Sequence, residues 1–521
     1  MNRIEPIARV HRQTRSLPYY DDPLKLYQQL TRDKPHSMLL ESAEIDSKDH
    51  LKSIILSHAA LAIRCDGSTL SFEALTDNGA GLLPAIHDFF NSRGEVSLEQ
   101  QKQSLKVILR PITAELDEDA RLKAGSPLDG LRLLQQGLVD EKESQFETGF
   151  LGGILGYDLI ASTEPLPSVS QGANHCPDYL FYLAETLITV DHQKGCAEAV
   201  VMEFNGNNEV QAELGARLDA IETNCQLLED VAPLSGVHAE ASVNISDADF
   251  CRQVSRLKEH ICAGDIFQVV PSRSFSLPCP NTLGAYRALR LTNPSPYMFY
   301  LRSADFTLFG ASPESALKYE AEGNQVEVYP IAGTRKRGKT PDGEIDFDLD
   351  SRIELELRLD KKELSEHIML VDLARNDIAR ISQSGSRKVA ELLKVDRYSH
   401  VMHLVSRVTG QLRKDLDALH AYQACMNMGT LVGAPKVRAA QLIRETEQQR
   451  RGSYGGAVGY LNALGDMDTC IVIRSAFVSE GMAHIQAGAG VVYDSDPQAE
   501  ADETAQKAQA VISAIKMGGG L

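Results

Sequence analysis

The sequence predicts an α+β fold: antiparallel β-sheets forming a sandwich-like core, with helices outside. Three observations predict it. Strand patterns outnumber crossover helices and often follow one another directly, which suits antiparallel pairing and not a doubly wound sheet. Hydrophobic residues make up 43% of the 521 and charged residues 24%, an ordinary globular composition with ample core material. At roughly 150 residues per domain, that length allows two to four domains. No repeat with a period of roughly 20–50 residues argues for a solenoid or propeller instead.

The elements follow in chain order. LKSIILSHAALAIRC, 51–65, reads as a helix running into a strand. YLFYLAETLITVDHQ (179–193) and CAEAVVMEF (196–204) read as a strand hairpin. Residues 231–247 are small, polar and aperiodic, so they read as a linker between an N-terminal region, 1–240, and a C-terminal region, 245–521. After it come the helix 247–265 and the strand 266–277. Further strands are expected at 306–312, 325–333, 399–412, 455–463, 469–479 and 482–493. Further helices are expected at 361–381, 435–449 and 497–516. Asp496 is placed to cap the last of these and Pro497 to open it.

Charge and cysteine usage exclude several classes. Lys and Arg total 53 against 72 Asp and Glu, a net charge of −19. Such a surface repels phosphate backbones and anionic lipid, so neither nucleic acid nor membrane is an expected partner. Any anionic substrate must then be held by local cations, backbone N–H groups or a metal. The nine cysteines form no Cys-x-x-Cys pair and are few for this length, which points to reduced thiols and a cytoplasmic location. The N-terminus has no signal-like apolar stretch, and no run of about 18 apolar residues occurs. There is no Trp.

Two motif matches fail on context. Residues 333–340, GTRKRGKT, fit the P-loop pattern and follow a strand. A P-loop must open a helix whose amides hold the phosphates, and here Pro341, Asp342 and Gly343 make a turn. Asp346, Asp348 and Asp350 resemble the start of a calcium loop, but Ser351 stands where Gly is needed and Leu357 where Glu is needed. This segment reads as acidic, solvated surface.

Two Glu-x-x-Glu pairs carry more. Glu363 and Glu366 lie early in one expected helix, Glu500 and Glu503 early in another, and i, i+3 spacing puts each pair on one face. Each alone is also explained as favourable charge near a helix N-terminus. Four carboxylates from two helices would suit a hard cation such as Mg²⁺. Three glycine-bearing strand ends, 330–335, 429–436 and 488–490, lie in a chain that also carries Lys436, Tyr454 and Arg474. Glycine admits close backbone approach, and its N–H can bind a carboxylate, so together they suggest an anion pocket; singly each is a turn. Glu314 follows a strand; desolvated, its raised pKa would suit a general acid, and solvated it is a turn acid. His403 lies in a strand, where a structural role competes with proton transfer at an unshifted pKa.

These residues together resemble the chorismate-utilising enzymes, and among them the anthranilate-forming branch. The resemblance covers nearly the whole chain. It is carried by PIAGTR at 330–335, EHIMLVDLARND at 366–377, GAPKVRA at 433–439, YGGAVGY at 454–460 and GAGVVYDSDP at 488–497. LLES at 39–42 and GFLGGILGYD at 149–158 carry it in the N-terminal half. It implies the chorismate-utilising fold and conversion of chorismate and ammonia to anthranilate and pyruvate, the first step of tryptophan biosynthesis. The ammonia would come from glutamine through a separate amidotransferase subunit, in a heterotetramer of two subunits of each kind.

The resemblance implies Mg²⁺ at Glu366 and Glu503, with Glu363 and Glu500 nearby. It puts Tyr454, Arg474 and the amides of Gly488, Ala489 and Gly490 on the enolpyruvyl carboxylate, with Gly333 and Thr334 along the ring. Glu314 would protonate the leaving C4 hydroxyl, His403 would assist pyruvate elimination, and Lys436 would position substrate. Thr430 and Gln268 complete the catalytic set. Gln268 stands where water-using relatives have a lysine base, and Ala332 where aminodeoxychorismate synthases have a nucleophilic lysine. Both favour ortho-amination, with aminodeoxychorismate synthase and isochorismate synthase as the alternatives.

The N-terminal region is implied to be regulatory. Tryptophan would bind near Glu41, Ser42, Lys52, Pro296, Tyr297, Met298, Val458 and Tyr460. The strand carrying Tyr454, Val458 and Tyr460 would connect the two sites. The chain departs from the commonest patterns at Lys336 and at Leu431 and Val432. A tryptophan-binding regulator without catalysis would lack Glu366, Glu503 or Arg474, and all three are present. A P-loop ATPase would bind ATP.

Overall fold

A computed structural model describes residues 4–32, 34–42, 51–94, 96–110, 116–226, 228–229, 231–398 and 401–521. Its framework is set by two long strands, Lys52–Asp66 and Tyr179–Asp191, paired antiparallel along most of their length. The register shifts between Leu56 and Leu61. Such bulges bend a strand and re-aim its two ends, so each long strand serves two sheets.

On one side of the bend the pair continues into Ser37–Glu41, then Tyr297–Arg302, Thr307–Ser312, Ser475–Ser479, Met482–Gly488 and Ser272–Pro278. On the other side it continues into Leu151–Leu155, then Ala457–Leu461, Met467–Ile471, Ser315–Glu320, Gln325–Val328 and Val401–Gln411. Val401–Gln411 also pairs with Ile331–Lys336 and Lys388–Arg397. The N-terminal region thus contributes strands to both sheets of the C-terminal region.

Side-chain alternation fills two layers. In Tyr297–Arg302, Phe299 and Leu301 enter a core shared with Leu317, Met467 and Ile154 of the second sheet. Met298 and Tyr300 point the other way, against Leu289 of the helix Thr282–Thr292 and Val511 and Ile515 of the helix Pro497–Gly518. One face packs on the facing sheet and one on helices, which is the sandwich with outer helices that the strand pattern implies.

The helices follow their local signals closely. Asp496 accepts from Ala499 N–H, and Pro497 is the first residue of Pro497–Gly518. Asp360 accepts from the amides of Lys362 and Glu363 and opens Lys361–Ile381. Asp247–Cys262 and Lys436–Glu447 are helices as expected. The hairpin Tyr179–Asp191 with Cys196–Glu203 is present. Residues 231–247 are largely irregular, with the short strand Ser242–Val243 and the first residue of the helix Asp247–Cys262. The described residues include no helix long and apolar enough to cross a membrane.

Several expectations are corrected. Residues 51–65 are not a helix leading into a strand, because Lys52–Asp66 is strand throughout. A run buried on both faces has no period that separates helix from strand, and pairing on both edges decides it. Three expected strands are each two: Gln268–Val269 and Ser272–Pro278, Gln325–Val328 and Ile331–Lys336, Met467–Ile471 and Ser475–Ser479. Pro271 and Pro330 lack the N–H a ladder needs, and Arg474 sits at φ 49°, out of the extended region. The expected strand 399–412 is Val401–Gln411, with Ser399 and His400 outside the described residues.

The segment read as solvated acid is also ordered. Asp346 caps the helix Phe347–Leu359, and Asp350 is buried on Arg337 at 2.9 Å and on the Gly338 N–H. Residues 341–343 form a turn after Thr340, so the P-loop match does not itself open a helix.

Candidate active site

The site lies where the N-termini of Lys361–Ile381 and Pro497–Gly518 meet the ends of three strands. The first helix presents Glu363 and Glu366. Gln268 donates from Nε2 to Glu366 at 2.9 Å, and Arg335 donates to Glu363 at 2.9 Å. The second helix presents Glu500 and Glu503, and Lys507 pairs with Glu503 at 2.6 Å. Burial and the negative charges of Glu363 and Glu503 raise the pKa of Glu366 above the ordinary carboxylate value, opposed by Gln268 and Lys507. Burial, with Glu503, does the same to Glu500.

Carboxylates that raise one another's pKa mark a place where positive charge is favoured. The donors are all oxygen, which fits a hard divalent cation. Among the described residues no three such side chains already converge as a metal cluster. Glu363, Glu366 and Glu503 are instead held by Arg335, Gln268 and Lys507.

The residues read as an anion pocket lie near them: the charge of Glu503 acts on Arg474, and Gly490 lies beside Gln268 and Glu366. Tyr454 is buried, its pKa pushed up to about 12 by desolvation. A Cβ on Gly488 would lie 2.8 Å from the Tyr454 hydroxyl, and one on Gly490 would lie 2.8 Å from Gln268 Nε2 and 3.4 Å from Glu366 Oε1. Glycine at these two positions therefore keeps open the space beside these groups that a Cβ would fill. Ala489 is buried, its N–H bonded to the Pro271 carbonyl at 3.1 Å. Burial lowers the pKa of the Arg474 guanidinium, and Tyr454 and Glu503 oppose that shift. Beneath Tyr454, the fully buried Arg451 stacks between its ring and that of Tyr157 and pairs with Glu447. Glu447 also accepts from Ser272 N–H and Oγ at 2.8 Å.

Glu314 and His403 titrate oppositely. Desolvation pushes Glu314 up to about 8, against a hydrogen bond from Thr430 Oγ1 at 3.0 Å and the charge of Lys507. Desolvation and Arg474 push His403 down to about 4, so the expectation of an unshifted histidine is corrected. Its Nδ1 lies 2.9 Å from Thr334 Oγ1. Gly333 sits at φ 73°, where a Cβ would meet Leu357 at 2.9 Å and Glu363 Oε2 at 3.2 Å. Lys436 reaches Asp377 and the Cys425 carbonyl, each at 2.6 Å, so its ammonium is already engaged.

Of the residues singled out for tryptophan, Lys52, Tyr297 and Tyr460 come together around Phe146 and Asp468, whereas the side chains of Met298 and Glu41 turn to the helix layer. Met298 pairs with Glu41, and Tyr460 of Ala457–Leu461 stacks on Phe150 at 5.2 Å. Phe146 meets Tyr460 edge-on at 5.3 Å and lies 5.8 Å below the Lys52 ammonium. Tyr297 donates to Asp468, the register partner of Tyr460. Val458 is buried opposite Cys470, Pro296 is buried, and Ser42 is half-buried at the strand end. The Glu41 carboxylate is buried on Tyr286 at 2.6 Å and Arg290 at 2.9 Å.

Arg335, Glu447, Arg451, Lys507, Phe146 and Phe150 escape the sequence reading. Lys507 had a usable signal, since it follows Glu503 by four residues on one helix face. Glu447 and Arg451 had none, because their role depends on what lies above them.

The profile of a family described as chorismate binding enzyme matches residues 89–513. Anthranilate synthase component 1 of Vibrio parahaemolyticus is 59% identical over 505 residues, 96% of this chain and 92% of the relative. The protein of the same name from Escherichia coli K12 is 57% identical over 500 residues, 95% of each chain. The crystal structure of anthranilate synthase component I from Streptococcus pneumoniae superposes with a TM-score of 0.70 at 31% identity, covering 90% of this chain and 94% of that one. MenF, the menaquinone-specific isochorismate synthase of Escherichia coli, has a TM-score of 0.66 at 17% identity, covers 98% of this chain and 96% of its own, and shares the fold.

Proposed function

The chain belongs to the chorismate binding enzymes, with the anthranilate synthase components I, and from that premise we propose a Mg²⁺-dependent conversion of chorismate and ammonia to anthranilate and pyruvate. The ammonia comes from glutamine through a partner amidotransferase, and tryptophan inhibits the reaction. The observation that carries this reading is the pairing of the desolvated Arg474 guanidinium and Tyr454 hydroxyl with a carboxylate cluster close by. A dianion fits between the two only if a cation joins the carboxylate side.

Glu366 and Glu503 would hold that Mg²⁺, with Glu363 and Glu500 beside them, and the ion would supply positive charge to one substrate carboxylate. Arg474 and Tyr454 bind the other. Charge-assisted hydrogen bonds in such a partly buried site contribute on the order of 1.5–3 kcal/mol each. Glu314 carries its proton at neutral pH and donates it as the C4 hydroxyl leaves as water, while ammonia adds at ring carbon 2. His403 is neutral at that pH. It accepts a proton, or donates a neutral hydrogen bond, as pyruvate is eliminated and the ring becomes aromatic. Thr430 orients the Glu314 carboxyl.

Amination is favoured over hydroxylation because Gln268 cannot act as a base, and Ala332 offers no nucleophile. All nine cysteines are free thiols, which supports work in a reducing cytoplasm.

The test is anthranilate fluorescence from the purified chain with chorismate, ammonium and Mg²⁺. The expected signal needs Mg²⁺, disappears with chelator and falls with tryptophan. Ser42→Phe is expected to need on the order of tenfold more tryptophan for the same inhibition, within the usual coupling range of about 1–3 kcal/mol. Chorismate consumed without anthranilate would overturn the reading, and a Ser42→Phe enzyme as tryptophan-sensitive as its parent would remove Ser42 from the feedback site.

A further inference from the structure

A cavity of about 940 Å³ lies where the N-terminal region meets the helix Lys436–Glu447. The turn at Gly67, the loop 125–127, the 3₁₀ helix Tyr157–Ser162 and Asp178 wall it on one side, and Gln423, Arg444 and Arg450 on the other. None of the residues assigned above to chorismate, Mg²⁺ or tryptophan lines it. Its volume falls in the range of small-molecule sites, roughly 300–1,000 Å³.

The wall carries surplus positive charge. Arg110, Arg121, Arg444 and Arg450 line the cavity against two carboxylates, Asp158 and Asp178. Arg444 donates to Asp158 at 2.7 Å and to the Pro167 carbonyl at 2.9 Å. Arg450 donates to Asp178, which also accepts the Gly67 N–H at 2.6 Å. Two guanidiniums thus answer two carboxylates, and Arg110 and Arg121 remain. Arg121 lies 3.6 Å from Glu164, whereas Arg110 is exposed and has no carboxylate partner among the described residues. Even with Glu164 counted the wall is net cationic, in a chain of net charge −19.

Unmet hydrogen-bonding groups gather on the same wall. Ser126 Oγ, Arg444 Nε, Arg450 Nε and Gln423 Oε1 are buried with no partner in the protein, and three of the four can donate. Ser126 and Arg444 are each only 7% exposed. Burying an unpaired donor is costly, and folded proteins hold few of them. Donors beside guanidiniums are the complement of an oxyanion, which guanidinium forks bind at two oxygens at once.

We propose that this cavity binds a small organic oxyanion, a phosphate ester or a polycarboxylate, apart from the chorismate pocket. The charged group meets Arg110, Arg121 and the free donors of Ser126, Arg444 and Arg450, and the volume leaves room for an organic body. The two pockets adjoin, because Asp158 also accepts the Gly452 N–H at 2.9 Å, two residues before Tyr454.

The test titrates the full chain, without Mg²⁺, with pyrophosphate and with citrate, each against sodium chloride at equal ionic strength, by calorimetry. Saturable binding is expected. Pyrophosphate alone would assign a phosphate ester, citrate alone a polycarboxylate, and both an oxyanion site open to either. Arg110→Ala/Arg121→Ala removes the surplus charge from positions that reach solvent. Arg450→Gln/Asp178→Asn replaces an ion pair by neutral groups of similar shape and leaves neither charge uncompensated. Each is expected to bind at least about tenfold more weakly, the loss of one charge-assisted hydrogen bond or more. Arg474→Gln alters the chorismate pocket and is expected to leave this binding as it is. No saturable binding of either probe would overturn the proposal, as would binding at parent strength in both double variants. Binding lost only with Arg474→Gln would overturn it too, by placing the anion in the chorismate pocket.

Discussion

Glu314 is a carboxyl group that keeps its proton to about pH 8 because burial disfavours its anion. As the proton donor to a leaving hydroxyl it works only below that pKa. The alkaline limb of kcat is therefore expected near pH 8, with Glu314→Gln losing roughly 10²–10⁴ of the turnover while chorismate binding changes little. Thr430→Val removes a hydrogen bond that lowers this pKa, so the limb moves to higher pH; pH profiles of both variants check the assignment. The same shift affects stability. A carboxyl whose folded pKa is raised stabilises the fold fully below its unfolded value of about 4.5, and the contribution is lost as pH rises through about 8. Raised carboxylate pKa was an open alternative at this residue in the sequence. Burial resolved it, and burial also turned His403 from an ordinary histidine into a neutral one.

Among the elements, the four helices expected from the sequence are present, whereas others, such as Asn208–Asn224 and Thr282–Thr292, and the strand ends were not read. Asp360 and Asp496 mark helix starts through contacts within three residues, and both helices begin there. The helix Phe347–Leu359 was missed because its starting aspartates also resemble a metal loop, and the Asp350–Arg337 pair that decides the matter joins residues on different elements. The strand breaks at Pro271, Pro330 and Arg474 were equally unread. Gly433 shows how tightly these elements meet. At φ 117°, with a Cβ that would lie 2.1 Å from the Gln268 carbonyl oxygen, it has no room for a side chain. Gly433→Ala is expected to cost at least about 1–3 kcal/mol of strain and to dislodge Gln268 from Glu366. A lower urea midpoint together with weaker Mg²⁺ dependence would show both effects, and an unchanged midpoint would contradict the geometry.

For the whole molecule, sharing of strands between the two regions is the governing fact. Ser37–Glu41 pairs with Tyr297–Arg302, and Leu151–Leu155 pairs with Ala457–Leu461. Residues 1–240 expressed alone would leave those strands with open apolar edges. That fragment is expected to aggregate or to lack protected amides in hydrogen exchange, while the full chain unfolds in one transition. A soluble, cooperatively folded fragment would show that the interleaving is not needed for stability. Strand Ala457–Leu461 runs from beside Tyr454 to the aromatic cluster around Tyr460, so a ligand at either end meets one rigid element.

Spacing along the chain settled the pieces whose geometry is local: Glu363 with Glu366, Glu500 with Glu503, the aspartate caps and the glycine that ends Met482–Gly488, whereas Gly429 begins the short helix Gly429–Val432 and Gly333 lies within Ile331–Lys336. These depend on spacing within a few residues, where helix and strand periods are known. Long-range pairing instead brought Arg474 under the charge of Glu503, placed Glu447 and Arg451 beneath Tyr454, and desolvated Glu314 and His403. Those outcomes depend on which strands pair across hundreds of residues, and desolvation is a property of the surroundings, not of the residue.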